Sequence, residues 1–341
     1  MLTFDPEVLE KLVVRVTGHR PAEVVQMPGG ASTRRYLRMR TPEGPMVAMF
    51  VPDARPEEIT AGAATLRWPF LEVQELLHGR GVRVPRVIAE SCDEGLLLLE
   101  DLGDETLAAF LERAPARRAE IYRIAVTDLA RAQTALAALP EGSVIATRAF
   151  DEVLLRWELD HFREWGLDAR ERALPDDVRA AFDAIADRLA RRIAAWPRGF
   201  VHRDYQSRNL MVHTGPGEAL SLVWIDFQDA LLGPRVYDLV ALLNDSYQSF
   251  DRDFIEARLD DFAAAAGMDA AGRAALGREF DVVTVQRKLK DAGRFIFIDR
   301  VKKNPSFLPY FEPSLAKVRA ALARLEDEED MRALARIVER A

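Results

Sequence analysis

The chain has 341 residues, 49% hydrophobic and 30% charged, enough apolar content for a sizeable core and for one large domain or two. Its net charge of −8 and isoelectric point near 5.4 exclude an extended basic footprint, so no nucleic-acid partner is expected. The single cysteine, Cys92, excludes a disulfide framework and a thiolate metal site, and no run approaches a membrane span, so a cytoplasmic protein without a membrane partner is expected.

Taken in chain order, residues 1–20 interleave acids with a short apolar pattern and do not read as a secretory leader. Glu23–Met27 is a strand candidate, followed by the small-residue stretch Gly29-Gly30-Ala31-Ser32-Thr33. Arg35–Thr41 alternates, Pro42-Glu43-Gly44 turns, and Met46–Val51 is an apolar run, which together predict a hairpin. Phe70–His78 has helical spacing and is closed by Gly79 and Gly81. Val82–Ala89 and Leu96–Glu100 are further strand candidates. Beyond Asp101 the pattern turns helical. Arg117–Ala138 and Asp176–Trp196 each carry a 3.6-residue apolar stripe of the kind that packs into a core. Strand signals return over Gly199–Phe227, and the remainder from Val236 reads as helix, including Val285–Val301. The five histidines are scattered without metal-ligand spacing.

The chemistry concentrates in Gly199–Val212, GFVHRDYQSRNLMV. His202-Arg203-Asp204 is followed five positions after the aspartate by Asn209, and 17 residues later Asp226 ends an apolar strand and precedes Phe227. A carboxylate, an amide and a second carboxylate on neighbouring strand ends is what phosphoryl transfer from ATP needs. One carboxylate orients the acceptor hydroxyl, while the amide and the other carboxylate hold Mg²⁺, which prefers oxygen ligands and keeps some waters. Asp204 is thus the candidate catalytic base, and Asn209 and Asp226 the candidate metal ligands; His202 reads as structural.

Three blocks resemble the aminoglycoside phosphotransferase family of protein-kinase-like enzymes: LLLLEDLG at 96–103, HRDYQSRNLM at 202–211 and IDFQDALLGPRVYDL at 225–239. The last two, with AGRF at 292–295 and Leu308-Pro309-Tyr310, are most similar to the anomeric N-acetylmuramate/N-acetylglucosamine kinases of peptidoglycan recycling. The resemblance implies an α+β, bilobal kinase-like fold. A nucleotide lobe with a small antiparallel sheet would span residues 1–101, with a hinge at 100–104 and a helical lobe over 105–341. It implies ATP and Mg²⁺ as cofactors and a small-molecule sugar as substrate. Too few residues separate Asp226 from Gly233-Pro234 for a protein-kinase activation segment, and no Ala-Pro-Glu follows. Asp238 resembles the family's structural aspartate.

In that context Gly29, Gly30, Ser32, Thr33 and Arg34 become the phosphate loop, with Arg35 turned away if the strand alternates. The adenine edge would meet main-chain groups of Glu100 and Leu102. The third strand carries no lysine: Met49 stands at the expected place, so an arginine, Arg34 or Arg35, or metal and backbone must take its role, and Glu72 and Glu75 have no obvious mate. On the acceptor side, Tyr205, Gln206, Arg208 and Arg294 are candidate substrate contacts, an arginine suiting a carboxylate. Asp245, Asp251 and Asp253 leave a cationic acceptor open. Trp157 and Trp165 fit core packing better than sugar stacking. Other readings are a further aminoglycoside-, choline- or homoserine-kinase-like phosphotransferase, or a non-catalytic nucleotide-binding module.

Overall fold

The computed structural model describes residues 4–28, 33–52 and 68–341. Gly29, Gly30, Ala31 and Ser32 of the expected phosphate loop lie outside the described residues. The described chain forms an α+β fold of two compact units. One comprises Met1–Thr106 with Leu210–Asp229, and the other Leu107–Asn209 with Ala230–Ala341.

Helix α1 (Pro6–Thr17) starts where Asp5 accepts a hydrogen bond from the Glu7 amide and Pro6 presets the first turn; Gly18 ends it in the left-handed conformation at φ 74°. Strands β1 (Ala22–Gln26), β2 (Arg35–Thr41) and β3 (Gly44–Phe50) follow, then α2 (Pro69–Gly79), β4 (Val87–Ser91) and β5 (Leu96–Glu100). The sheet runs β1-β2-β3-β5-β4, and every pair is antiparallel. Strand alternation sorts its side chains. Met46, Ala48, Phe50, Leu96 and Leu98 join Leu9, Leu12 and Val13 of α1 in one core. Met49 pairs with Tyr36 on one side and Leu97 on the other, and so belongs to the opposite face. The strand expected over Val82–Ala89 is paired as strand only from Val87. The Arg83 carbonyl accepts from Trp224 instead of β5, Pro85 has no amide hydrogen to give, and the Arg86 carbonyl takes the last bond to β5, from the Glu100 amide.

The chain then builds α3 (Leu107–Arg113), α4 (Arg118–Ala135), α5 (Glu152–His161), α6 (Asp176–Ala194) and β6 (Arg198–Val201). The hairpin β7 (Leu210–Thr214) and β8 (Leu220–Trp224) belongs to the first unit. Strand β9 (Leu231–Pro234), which pairs with β6, and helices α7 (Tyr237–Leu243), α8 (Arg252–Ala265), α9 (Ala270–Lys302), α10 (Phe311–Arg324) and α11 (Glu329–Val338) complete the second. Helix α9 is the spine of that unit. Asp269 caps its start, and from Phe280 to Leu289 every residue is buried, a helix covered on all sides.

The division differs from the one expected at residue 101. The Val212 amide donates to the Glu105 carbonyl, Thr106 bridges Met211, and the Trp224 amide donates to the Arg83 carbonyl. The first unit therefore extends to Thr106 and takes in the β7–β8 hairpin, and with it Asp226.

Candidate active site

The loop between β6 and β7 is fixed from beneath. Asp238, fully buried at the start of α7, accepts the amides of His202 (2.6 Å) and Arg203 (3.0 Å). Burial pushes its carboxyl up to about 7, against those donors and the nearby Arg287 charge. This matches the structural role expected of Asp238. Arg203 is held at φ 81°, a conformation costly for a residue with a side chain. The Arg203 carbonyl accepts from Arg287 Nη1 at 2.8 Å.

Asp204 follows with its side chain about 42% exposed, and Arg287 Nη2 stands 3.4 Å from its Oδ1. Burial works to raise the Asp204 carboxyl. The charges of Arg287, Lys290 and Arg203 outweigh it, so the group lies below the ordinary carboxylate value and is ionised at neutral pH. Arg287 itself is buried, its guanidinium over the Tyr237 ring at 4.5 Å. The Asp204 carbonyl accepts from the Gln206 amide and from Asn209 Nδ2, both at 2.9 Å. With its amide nitrogen spent this way, Asn209 presents its oxygen in the other direction. Ser207 donates its amide and its hydroxyl to Asp245.

The other acceptor-side candidates separate. Tyr205 is fully buried and its hydroxyl donates to the Ala125 carbonyl at 2.9 Å, which places it in the core rather than on a surface an acceptor can reach. Gln206 builds the turn through its backbone. Arg208 is exposed, lies 3.5 Å over the Tyr247 ring and donates to the Tyr310 hydroxyl at 3.4 Å. Arg294 lies on α9 within electrostatic reach of Arg203 and Asp204. Of the acids that left a cationic acceptor open, Asp245 is buried on Ser207 and Asp251 caps α8 through the Phe254 amide.

In the first unit, Arg34 is buried and hydrogen-bonds the Tyr36 hydroxyl. Burial pushes the Tyr36 phenol up, the Arg34 charge opposes it, and the Asp226 carboxylate adds to it, so Tyr36 lies within electrostatic reach of both. Arg35 is on the other face, its guanidinium 5.2 Å from the Phe50 ring centre, as alternation requires. Met49 fills the sheet opposite Tyr36 and is 1% exposed. Thr33 is exposed at the entry to β2. Asp226 sits at φ 63° and accepts from Gln228 Nε2 at 3.0 Å, and the following Phe227 ring packs on Phe70 of α2. Glu72 and Glu75 are not left without partners, contrary to the expectation for a strand lacking lysine.

The connector after β5 is clamped by Arg38, which donates to Asp101, Gly103 and Asp104. The Glu100 carboxylate is held by Arg83 and Arg86 and its amide donates to the Arg86 carbonyl, so of its polar groups only the backbone carbonyl is left to consider for a ligand. The Leu102 carbonyl meets His213 Nε2 at 3.2 Å, and its amide has no partner among the described residues.

Asp204 is thus an ionised aspartate on a loop held by Asp238 in the second unit, and Asp226 a strand-ending aspartate in the first. The chain belongs to the phosphotransferase enzyme family, whose family model matches residues 23–276. It is 34% identical over 321 residues to the N-acetylmuramate/N-acetylglucosamine kinase of Pseudomonas aeruginosa, covering 89% of this chain and 87% of that protein. The protein of the same name from Neisseria meningitidis is 33% identical over 309 residues, covering 86% and 85%. Among solved structures, the gentamicin-APH(2")-IIa complex superposes with a TM-score of 0.60 at 16% identity, covering 97% of this chain and 99% of that one; this likeness shows the fold. The chain is a small-molecule kinase. Among the described residues no helix is long and apolar enough to cross a membrane.

Arg287, which meets the Asp204 carboxylate and the Arg203 carbonyl, is the partner of this loop that the sequence did not reveal. It lies 83 residues beyond Asp204 in a helix whose periodicity is that of a core, and no local spacing couples the two.

Proposed function

We propose that this protein transfers the γ-phosphoryl group of ATP to the anomeric hydroxyl of N-acetylmuramate, N-acetylglucosamine or both. The observation that carries the reading is the near full-length match to kinases of that name, on a chain whose Asp204 is ionised and partly exposed. Asp204 accepts a hydrogen bond from the sugar hydroxyl and orients it for in-line attack; Arg287 and Asp238 keep that carboxylate and its loop in place. Arg34 takes the part of the absent third-strand lysine, at the phosphate loop that Gly29, Gly30, Ser32 and Thr33 begin. The Leu102 amide and the Glu100 backbone receive the adenine edge. Asn209 and Asp226 supply an amide oxygen and a carboxylate, a donor set that fits Mg²⁺, and would hold it; the ion neutralises phosphate charge when bound. Gln206 and Arg208 border the acceptor. We place the reaction in the cytoplasm, where ATP is available.

The test is ³¹P NMR of the product formed from ATP with each sugar. An anomeric sugar phosphate is expected. A 6-phosphate, or no sugar phosphate from either compound, overturns the reading.

A further inference from the structure

Four cationic side chains lie within two turns on α9, and three of them are matched. Lys288 and Lys290 both pair with Asp291, and Arg287 with Asp204. Arg294 has no carboxylate partner among the described residues. Its guanidinium rests on the Phe297 ring, 4.8 Å from the centroid. Burial and the Arg203 charge both work against its own charge, and only Asp204 favours it. A half-buried arginine that covers one face on a ring keeps its N–H fork for something else.

The wall around it is built to hold that position. Phe297 packs on His161 at 5.5 Å and on Trp165 at 5.1 Å, and His161 stacks with Trp157 at 5.3 Å. Trp157 leaves 52% of its surface exposed. His161 is 5% exposed and its Nε2 has no hydrogen-bond partner among the described residues. Gly293, beside Arg294, comes so close that a Cβ would stand 2.6 Å from the His161 carbonyl oxygen and 2.9 Å from Phe162 Cα. The backbone answers with a π-helical turn over Phe162–Leu167, a distortion common at functional sites. The register of α9 against α5 is thereby set at Gly293, next to the residue that presents the guanidinium.

We propose that Arg294 is the centre of an acceptor-carboxylate site, its fork taking the lactyl carboxylate of N-acetylmuramate, with Phe297, His161 and Trp157 as its wall. This rests on the sugar-kinase reading above and makes Arg294 the residue that distinguishes an anionic amino sugar from a neutral one. N-acetylglucosamine has no such carboxylate.

Two arms test it with the full chain. For Arg294→Gln, KM for N-acetylmuramate should rise about tenfold more than KM for N-acetylglucosamine, the worth of roughly one charge-assisted pair. Arg294→Lys, which keeps charge without the fork, should fall between. The second arm needs no variant: the methyl ester of N-acetylmuramate should show a KM about tenfold above that of the acid on the wild-type protein. Equal changes for both sugars, an ester as good as the acid, or a rise confined to the KM for ATP overturns the proposal. If the wild type phosphorylates neither sugar, the sugar-kinase reading itself fails, and this site with it; if it phosphorylates them without discriminating acid from ester, only the site fails.

Discussion

Asp204 and Asp226, the two aspartates of the proposed chemistry, lie in different units of the chain, and their described surroundings differ in kind. Around Asp204 the charges are dense and positive: Arg287, Lys290, Arg203 and, further along α9, Arg294. Each is set by the rigid spine helix or by a backbone clamp. Around Asp226 the company is a neutral amide, Gln228, and a buried arginine shared with a tyrosine. The third strand there carries a methionine. The first arrangement holds a carboxylate ionised whether or not a ligand is present. The contacts described for the second are a neutral amide and a tyrosine paired with an arginine, and we propose that Arg34 and a bound metal supply the charge that meets phosphate there.

The sharpest way to break the contrast is Asp204→Asn. The variant should lose phosphoryl transfer by about 10²–10⁴-fold while nucleotide binding, measured by calorimetry, is retained. Near-normal turnover would remove Asp204 from its role. Next is Arg287→Gln, expected to lower kcat by about ten- to a hundredfold and to move the acid limb of the pH–rate profile to higher pH. The sign follows from the cited charges. Arg287 holds the Asp204 carboxyl below its ordinary value, so activity in the wild type is kept as pH falls to that value and is lost only below it. Without the guanidinium the loss begins earlier. An unmoved limb would make Arg287 a packing residue only. On the other side, Arg34→Met should raise the KM for ATP about tenfold, as loss of one charge-assisted contact does. Arg35→Met, at the first residue of β2, should change it by less than about twofold, since that side chain packs on Phe50. Equal effects at the two positions would undo the distinction between them. The smallest effect belongs to Met49→Leu, a volume-conserving swap expected to cost under about 1.5 kcal/mol in thermal or denaturant unfolding and to leave ATP kinetics alone.

The legible parts of the molecule were those with local grammar. Strands β2 and β5 fall where alternation and the leucine run put them, and the side chain of Arg35 turns to Phe50 as strand period suggests. The spacing of Asp204, Asn209 and Asp226 correctly marks a loop and the end of a strand, while their chemical roles remain proposals. What escaped was set by partners distant in sequence. Tyr205 sits inside the most informative motif, yet its ring is core and its hydroxyl serves α4. Asp245 looked available for a cationic acceptor but is consumed by Ser207. The β7–β8 hairpin reads as continuous with the catalytic loop, and only its hydrogen bonds to Arg83 and Glu105 assign it to the sheet unit.

That last assignment has a consequence for how the chain is made. The sheet unit is discontinuous: it stops at Thr106, and its final pieces arrive only at Leu210–Asp229. A ribosome adding about 5–20 residues per second needs roughly 5–20 s to synthesise the intervening stretch. During that interval the Arg83 and Glu105 carbonyls, which the hairpin will satisfy, have no strand to receive them. The first unit is begun early and completed late, so a nascent chain cut at residue 106 holds the whole five-stranded sheet but lacks the hairpin that packs against its Arg83 and Glu105 carbonyls. Asp226 is among the last residues that unit acquires.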